Sequence, residues 1–337
     1  MAFNQRIFYA CQAVAVAPRG TGAITSSYIV HGLQSVGMTS TFTLEQIFEM
    51  GQLAIYENVE EVADIEVTLE KVIDGYKLIF DLATSGACKT DLVAASKARS
   101  DVYVAVFDDG LSNGTGVPRN VCMNSGMFVS SVSYSYSVDG NATESVTLVG
   151  NDRFWNNTTA GVIGSTPNTL WTTSNPTSNF DGEDVPKSGV VRRVDVDLAG
   201  STLPDEVKSQ MNNDAVGLGG GYHVQSITVS TDFGQENIQE LGRFGPYTRY
   251  ATFPIEVTSE FEVIATSGDL INVSGNAPNL IDRAITIKDT AGTVLNLGTK
   301  NKLTSVSYSG GDTGGGNATI TYSYSNYNVL TVQGGST

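Results

Sequence analysis

Basic residues, histidine and cysteine are all scarce in this sequence of 337 residues. It has 19 Lys and Arg against 35 Asp and Glu, a net charge of −16, so its surface is expected to repel phosphate backbones. The three cysteines, Cys11, Cys88 and Cys122, lie far apart and form no paired metal or redox motif. This usage suits a reducing cytoplasm and excludes a disulfide-rich secreted domain.

Long apolar runs are also missing, since nowhere do about 18 uncharged apolar residues follow one another. The first residues, MAFNQRIFYACQAVAV, do not have the charged start and cleavage site of a signal peptide. We therefore expect a soluble chain with no membrane anchor and no export signal.

Catalytic and ligand-binding motifs are absent too. The sequence contains no GxSxG or HExxH, and its glycine-rich segments lack the Lys-Ser/Thr of a phosphate loop. His31 and His223 occupy nearly equivalent positions, but neither has a further ligand at metal-binding spacing. The sequence predicts no catalytic residue, no metal and no cofactor, and an undetected carboxylate enzyme stays the alternative.

Short alternating runs of Ser or Thr with Val or Tyr are what the sequence does contain. Hydrophobic residues make up 40%, charged residues 16%, and glycine occurs 36 times. This composition favours β structure with many turns, and the length suits two domains.

An internal repeat at an offset of about half the chain is the main signal. Its matches are LQSV (33–36) with VQSI (224–227), Phe42 with Phe233, Ile47 with Ile238, Met50-Gly51 with Leu241-Gly242, IEVTLE (65–70) with IEVTSE (255–260), and SVSYS followed by NAT in both halves. We predict one copy at 1–155, a linker or surface loop at 156–188 that is rich in Asn, Thr, Ser and Gly, and a second copy at 189–337.

Each copy contains a predicted β-hairpin. From 131 to 138, Ser alternates with Val or Tyr, so one face of the strand is apolar and the other carries hydroxyls. Asp139-Gly140-Asn141 supplies the turn, and Ser145 begins the return strand. Residues 318–325 repeat the alternation in the second copy.

Three short helices are also predicted. Thr43 and Gln46 form a capping box that opens a helix ending at Gly51, and a second helix at 235–241 ends before Gly242. A third is predicted at 90–100. The expected fold is therefore mainly β (α+β), with two tandem β-sandwich or barrel domains that each carry a flanking short helix.

The hairpin VSSVSYSYSVDGNATESVTLVGNDRFW, the strand IEVTLEKVIDG and the segment LEQIFEMG together resemble the tail tube proteins of tailed bacteriophages. The resemblance covers most of residues 1–155, and it reaches the second copy through the repeat, where the turn is widened to SGGDTGGGNAT and VGNDRFW is missing. It implies tail-tube-like domains that assemble side by side into rings and stack into a tube, the conduit for genome ejection.

The resemblance also implies partners and a location. Two fused copies correspond to three chains in a pseudo-sixfold ring. The partners are then other copies of the chain and tail proteins such as the tape measure, terminator or sheath, and DNA passes through without specific binding. The protein is made in the host bacterial cytoplasm and resides in the virion.

Two sets of residues are candidates for these roles. The predicted lumen-facing residues are Ser131, Ser133, Ser135, Ser137, Thr319, Thr321 and Ser323. The predicted inter-ring or intersubunit contacts are Glu57, Glu60, Glu61, Asp64 and Arg249. A cation site in this acidic run is disfavoured because the second copy replaces much of it with YTRYATFP, which carries Arg249.

Two other functions remain open at this stage. Another tail, baseplate or capsid-associated structural protein would have the same acidic, β-rich sequence without cofactor motifs. A carbohydrate-binding β-sandwich module is suggested by 14 Tyr and 13 Phe.

Overall fold

A computed structural model describes residues 7, 9–21, 24–85, 92–107, 118, 120–157, 187–210, 221–275, 280–311 and 316–334. The predicted linker at 156–188 lies almost wholly outside these residues, as do Cys88 and the glycines at 217–220. The domain boundaries therefore stay a prediction.

Strands dominate the described chain, which confirms the prediction of a mainly β fold. The strands are β1 (Gln12–Pro18), β2 (Leu33–Thr41), β3 (Leu44–Phe48), β4 (Ile55–Glu60), β5 (Asp64–Val72), β6 (Ser100–Val106), β7 (Asn120–Ser137), β8 (Thr143–Gly150), β9 (Asp152–Asn157), β10 (Val224–Asp232), β11 (Gln235–Ile238), β12 (Thr248–Ala251), β13 (Glu256–Ile264), β14 (Thr286–Lys288), β15 (Val294–Asn296), β16 (Lys302–Ser309), β17 (Thr319–Tyr327) and β18 (Thr331–Gln333). The helices are α1 (Ile79–Ala83), α2 (Leu92–Ser96) and α3 (Asp205–Lys208).

Eight strands form one continuous antiparallel sheet in the order β16-β17-β13-β10-β7-β8-β5-β2. We call β7, β8, β5 and β2 the N-terminal quartet, and β16, β17, β13 and β10 the C-terminal quartet. Strands that correspond in the sequence repeat occupy the same place in each quartet. The corresponding pairs are β2 and β10, β5 and β13, β8 and β17, and β7 and β16. The sheet therefore runs through two quartets with the same strand order.

The two quartets also share their irregularities. The pairing of β2 with β5 shifts register between Leu33 and Ser35, and that of β10 with β13 shifts between Val224 and Ser226. Likewise, β7 with β8 shifts between Val129 and Ser131, and β16 with β17 between Leu303 and Ser305. The ladders of both quartets are therefore interrupted at corresponding points.

The register corrects one match of the sequence repeat. Ser35 Oγ donates to Glu70 Oε2 at 3.4 Å, and Ser226 Oγ donates to Glu262 Oε2 at 3.2 Å. Glu70 thus corresponds to Glu262, whereas the aligned sequences pair it with Glu260. A slip of two residues keeps every side chain on its original face of the sheet, so the hydrophobic alternation alone could not detect it.

One face of the long sheet is buried against a second layer. Val132, Tyr134 and Tyr136 of β7 are buried, as the alternation predicts. In the N-terminal half the second layer contains β1 and β6, which join the sheet through the first residues of β7. Gly126 has a φ of +66° where β7 passes from one layer to the other, a conformation that glycine adopts without strain.

Helix α1 is held in place by a buried carboxylate. Glu144, on the core face of β8, accepts hydrogen bonds from the backbone N–H groups of Ile79 at 2.6 Å and Phe80 at 3.0 Å, and from the Tyr134 hydroxyl at 3.1 Å. Burial raises the pKa of Glu144. These bonds satisfy N–H groups at the start of α1, which have no partner within the helix, and so fix the position of Phe80.

The structure contradicts two of the three predicted helices. The segment predicted to run from Thr43 to Gly51 contains β3, which pairs with β4 in a hairpin, and residues 235–238 form β11, which pairs with β12. Strand pairing outweighs the local capping signals at both places, and the glycines mark hairpin loops instead of helix ends. The third prediction, at 90–100, is confirmed in part by α2, which ends at Ser96; Ser100 belongs to β6 instead, and residues 90 and 91 lie outside the described chain.

The helices of the described chain have five residues at most, too few to span a membrane.

Candidate functional site

A complete antiparallel ladder between β10 and β7 joins the two quartets. Val229 pairs with Tyr134 and Ile227 with Tyr136, and all four side chains are buried. Beyond the strand ends, the Phe233 N–H donates to the Ser130 carbonyl at 2.8 Å, and the Val138 N–H to the Gln225 carbonyl at 3.1 Å. In this register, the pairs whose side chains face the core exchange backbone hydrogen bonds. The pairs on the other face of the sheet, such as Ser230 with Ser133, are non-hydrogen-bonded pairs.

The two ends of the eight-stranded path are open. Neither β2 nor β16 has a second neighbouring strand among the described residues. Tyr308 on β16 is 53% exposed, although it corresponds to the fully buried Tyr134 of β7. On β2, Val36 and Met38 are half-buried, whereas the corresponding Ile227 and Val229 of β10 are buried. The open edges are thus the counterparts of the two strands that meet inside the chain.

All seven predicted lumen-facing residues lie on the face of the sheet that points away from the core. They alternate with buried residues along β7 and β17, and each is half-buried. The hydroxyl-rich surface continues across the junction because Ser133 lies opposite Ser230 and Ser135 opposite Thr228. The contribution of β10 was not predicted, although its sequence, VQSITVSTD, has the same alternation.

The same face carries negative charge. Glu66 and Glu70 of β5 and Glu260 and Glu262 of β13 alternate with buried residues, so they point away from the core. Lys71 is fully buried on the other side, where its ammonium donates to Asp74 Oδ1 at 3.2 Å. The main surface of the sheet is therefore one of hydroxyls and carboxylates.

Two hairpins project beyond the sheet at corresponding positions. The first arm consists of residues 42–60 with β3 and β4, and the second arm of residues 233–251 with β11 and β12. The second arm lies against the N-terminal quartet, where the Gln235 side chain donates to the carbonyls of Ser96 at 3.2 Å and Val129 at 3.0 Å. It therefore bridges the two quartets alongside the β10–β7 ladder.

Of the predicted contact residues, the structure brings Arg249 and Asp64 together. Arg249 is 7% exposed, and its guanidinium donates to Asp64 Oδ1 at 2.5 Å and to Asn151 Oδ1 at 3.3 Å. Glu57, Glu60 and Glu61 lie on or next to the exposed first arm, and the hydrogen bonds of the Arg249 guanidinium go to Asp64 and Asn151 instead. A cleft of about 370 Å³ beside this ion pair is lined in part by Arg19, Arg99, Arg243 and Arg249.

The first arm makes no comparable contact in the described part of the chain. Its hydrogen bonds there are either internal, such as the Gln52 N–H to the Glu49 carbonyl at 3.3 Å, or lie at its base, where the adjoining Glu61 N–H donates to the Thr43 carbonyl at 3.0 Å. Phe42 is 70% exposed, whereas Phe233 at the corresponding position is fully buried. Leu44, Phe48, Met50 and Leu53 are exposed as well. A concentration of exposed large apolar side chains is typical of an interaction surface.

A second ion-pair cluster holds α3 to the C-terminal quartet. The Arg283 guanidinium donates to both carboxylate oxygens of Glu206 at 3.0 and 3.1 Å, and the Tyr324 hydroxyl donates to Glu206 Oε2 at 3.1 Å. Burial acts to raise the pKa of Glu206, but the hydrogen bonds from Arg283 and Tyr324 outweigh it, and the pKa is lowered. The cluster stabilises the layer behind β17.

Metal-binding geometry is not found among the residues that the structure describes, where no three His, Cys, Asp or Glu side chains converge. His31 instead stacks on Tyr76, with 4.1 Å between ring centroids, and burial lowers its pKa.

Comparisons with known proteins found one weak structural likeness that can be described. No family model matches the chain, and no curated protein matches it. Among solved structures, one described as the cryo-EM structure of the anti-feeding prophage baseplate, 6-fold symmetrised, is similar over 47% of this chain and 99% of that chain, with 11% sequence identity and a TM-score of 0.33. A likeness of this size is too weak to support a conclusion about function.

Proposed function

We propose that this chain is a structural virion protein that assembles into stacked rings and forms the tube of a bacteriophage tail, without enzymatic activity. The observation that carries the proposal is the relation between the open edges and the internal junction. Strand β10 pairs with β7 inside the chain, and the open strands β2 and β16 are their counterparts. Head-to-tail contacts of this kind produce a ring when the rotation closes.

The internal ladder specifies the register of the contact between chains. Since Ser230 faces Ser133, Thr39 of one chain is expected to face Ser307 of the next. In the same register Met38 lies opposite Tyr308, so two partly uncovered apolar side chains bury each other on the core face. Pairing also removes both exposed strand edges, which otherwise invite uncontrolled aggregation.

The resemblance to tail tube proteins, in which two fused copies correspond to three chains per ring, supports a specific ring size. A ring of three chains contains six quartets in pseudo-sixfold order, and eight sheet strands per chain give 24 strands in all. A closed sheet with that many strands is wide enough to enclose a water-filled channel, because barrel diameter grows with strand number.

The chemistry of the exposed sheet face suits a passage for DNA. Ser131, Ser133, Ser135 and Ser137, together with Thr319, Thr321 and Ser323, line the channel in this proposal, beside the glutamates of β5 and β13. Strong backbone binding requires several Lys or Arg contacts to phosphates, and this face offers carboxylates instead. DNA can then slide past without being retained.

Electron microscopy of the purified chain tests the proposal. We expect rings or tubes of uniform bore, with three chains in each ring when viewed end-on. A chain that stays monomeric at high concentration over a range of salt concentrations would contradict it, and so would a monodisperse monomer that binds glycans.

A further inference from the structure

We propose that the first arm clasps the C-terminal quartet of the neighbouring chain in the same ring, in the way that the second arm clasps the N-terminal quartet of its own chain. The inference deepens the proposed function, on which it rests, by assigning a partner surface to residues 42–60. That partner is a second copy of this chain.

The two arms are versions of one structure. Gln46 pairs with Asn58 in the first arm, and Asn237 pairs with Arg249 in the second. Each loop contains a left-handed glycine, Gly51 with φ +102° and Gly242 with φ +83°. Each arm also continues directly from the strand that borders a junction, β2 for the first and β10 for the second.

The second arm shows what such an arm does when its neighbour is present. Its first residue, Phe233, extends the β10–β7 ladder by the hydrogen bond to Ser130 and stacks on Phe80, with 6.2 Å between the ring centroids. At its far strand, Arg249 bonds to Asp64 and Asn151. The arm therefore fastens the junction at two points outside the sheet ladder.

The first arm has residues at both of these positions, but no other part of the described chain covers them. Phe42 occupies the position of Phe233 and Asn58 that of Arg249, yet both are exposed. Pairing of β2 with the next chain's β16 would bring this arm to the next chain's C-terminal quartet, because the arm follows β2 without a break. Since the apolar residues of the arm have no cover among the described residues, docking there buries surface that is otherwise in water.

The ladder registers identify the docking points. Ser130 corresponds to Thr304, so the Phe42 N–H is expected to donate to the Thr304 carbonyl of the neighbouring chain. Asp64 and Asn151 correspond to Glu256 and Tyr327, which pair with each other on the exposed ends of β13 and β17. An asparagine at the position of Arg249 suits this site, because its amide can donate to the Glu256 carboxylate.

A cation lies next to the expected docking points. The first arm carries Glu45, Glu49, Glu57 and Glu60. Lys302, at the start of β16 and two residues from Thr304, is about half exposed and lies 3.4 Å from Asp282. In the proposed docking, acidic side chains of the arm come near Lys302, which can then share its charge between them and Asp282.

Cross-linking in assembled rings tests the inference. In a chain with Cys88→Ser, the pair Asn58→Cys and Tyr327→Cys is treated with a short bismaleimide, and we expect covalent oligomers that stop at the number of chains in one ring. The matched control, Gln52→Cys with Tyr327→Cys, places the thiol at the tip of the same arm and should cross-link far less.

A parallel sample separates the two levels of the proposal. Thr39→Cys with Ser307→Cys reports the β2–β16 pairing itself, because non-hydrogen-bonded partners lie close enough for a disulfide. If this pair links and the Asn58–Tyr327 pair does not, the arm inference is wrong and the ring stands. A ladder of products longer than one ring would place the arm on a stacked ring and also overturn the inference. If neither pair links, the proposed assembly itself fails.

Discussion

The rings of Phe233 and Phe80 stack with their centroids 6.2 Å apart, at a place where both side chains are buried. This contact joins the second arm to helix α1, which Glu144 holds by its first N–H groups. Phe233, which directly follows β10, therefore packs against a helix that Glu144 of the N-terminal quartet holds in place. In the proposed ring, this junction within one chain is the template for the junction between chains.

The two equivalent phenylalanines should differ sharply in their effect on the unassembled chain. Phe233→Ala is expected to lower the free energy of unfolding by about 3–5 kcal/mol, because it empties a buried site. Phe42→Ala should change it by no more than about 0.5 kcal/mol, because the side chain is exposed. Urea denaturation of dilute, unassembled protein measures both, and equal effects would contradict the assigned environments.

A proline at the open edge should block assembly and leave the fold intact. In the register of the internal ladder, the Tyr308 N–H points away from β17, so Tyr308→Pro removes a hydrogen bond only from the contact between chains. We expect monomers with an unchanged circular dichroism spectrum. Tyr308→Val keeps the N–H and should still form rings, as seen by sedimentation. Normal assembly of the proline variant would exclude β16 as an interface.

Acid should reduce the stabilisation that the ion-pair cluster around Glu206 provides. Its pKa is lower in the folded chain than in the unfolded one, so the carboxylate stabilises the fold above the unfolded value of about 4.3, and this contribution is lost as the pH falls through the folded pKa. Glu206→Gln should cost about 1–3 kcal/mol at pH 7, and the difference from the parent chain should shrink below about pH 4. Thermal or urea unfolding across this range provides the measurement.

Asp205→Asn is the matched control for Glu206→Gln, since Asp205 contacts the same guanidinium at 2.5 Å but its side chain is 70% exposed. Exposed ion pairs contribute about 0–1 kcal/mol, so this variant should be nearly neutral. A larger loss for Asp205→Asn than for Glu206→Gln would contradict the account.

Positive charge on the sheet face should make the rings retain DNA. Ser133→Lys with Ser135→Lys adds two cations per chain to a surface of hydroxyls and carboxylates. We expect binding of duplex DNA that weakens steeply with salt, measured by filter retention of assembled rings. Gln52→Lys with Leu53→Lys adds the same charge at the arm tip and should give weaker retention. Unchanged behaviour of the first variant would argue against a channel lined by this face.

The sequence was informative where the alternation of side chains decides the structure. Residues 131–137 and 319–324 were placed on the correct strands and faces because a half-buried strand requires a period of two, whereas Ser325, predicted on the exposed face, is buried. The internal repeat likewise anticipated that the strands of the two halves would correspond.

Local signals misled where a distant strand decides the structure. Thr43, Gln46 and Gly51 have the right types and spacing for a capped helix, but pairing of β3 with β4 prevails. Glu144 could not be recognised either, since its partners Ile79 and Phe80 are about 65 residues away and only the β5–β8 pairing brings them near. The open edges and the unequal environments of Phe42 and Phe233 are likewise properties of the folded chain.

A cryo-EM reconstruction of the assembled particle, at a resolution that separates strands, tests the central claim most directly. It should show β2 of each chain beside β16 of the next, with Met38 opposite Tyr308, so that the sheet closes around a channel faced by the serines of β7. Rings in which these two strands lie apart, or in which another segment of the same chain covers either of them, would contradict it.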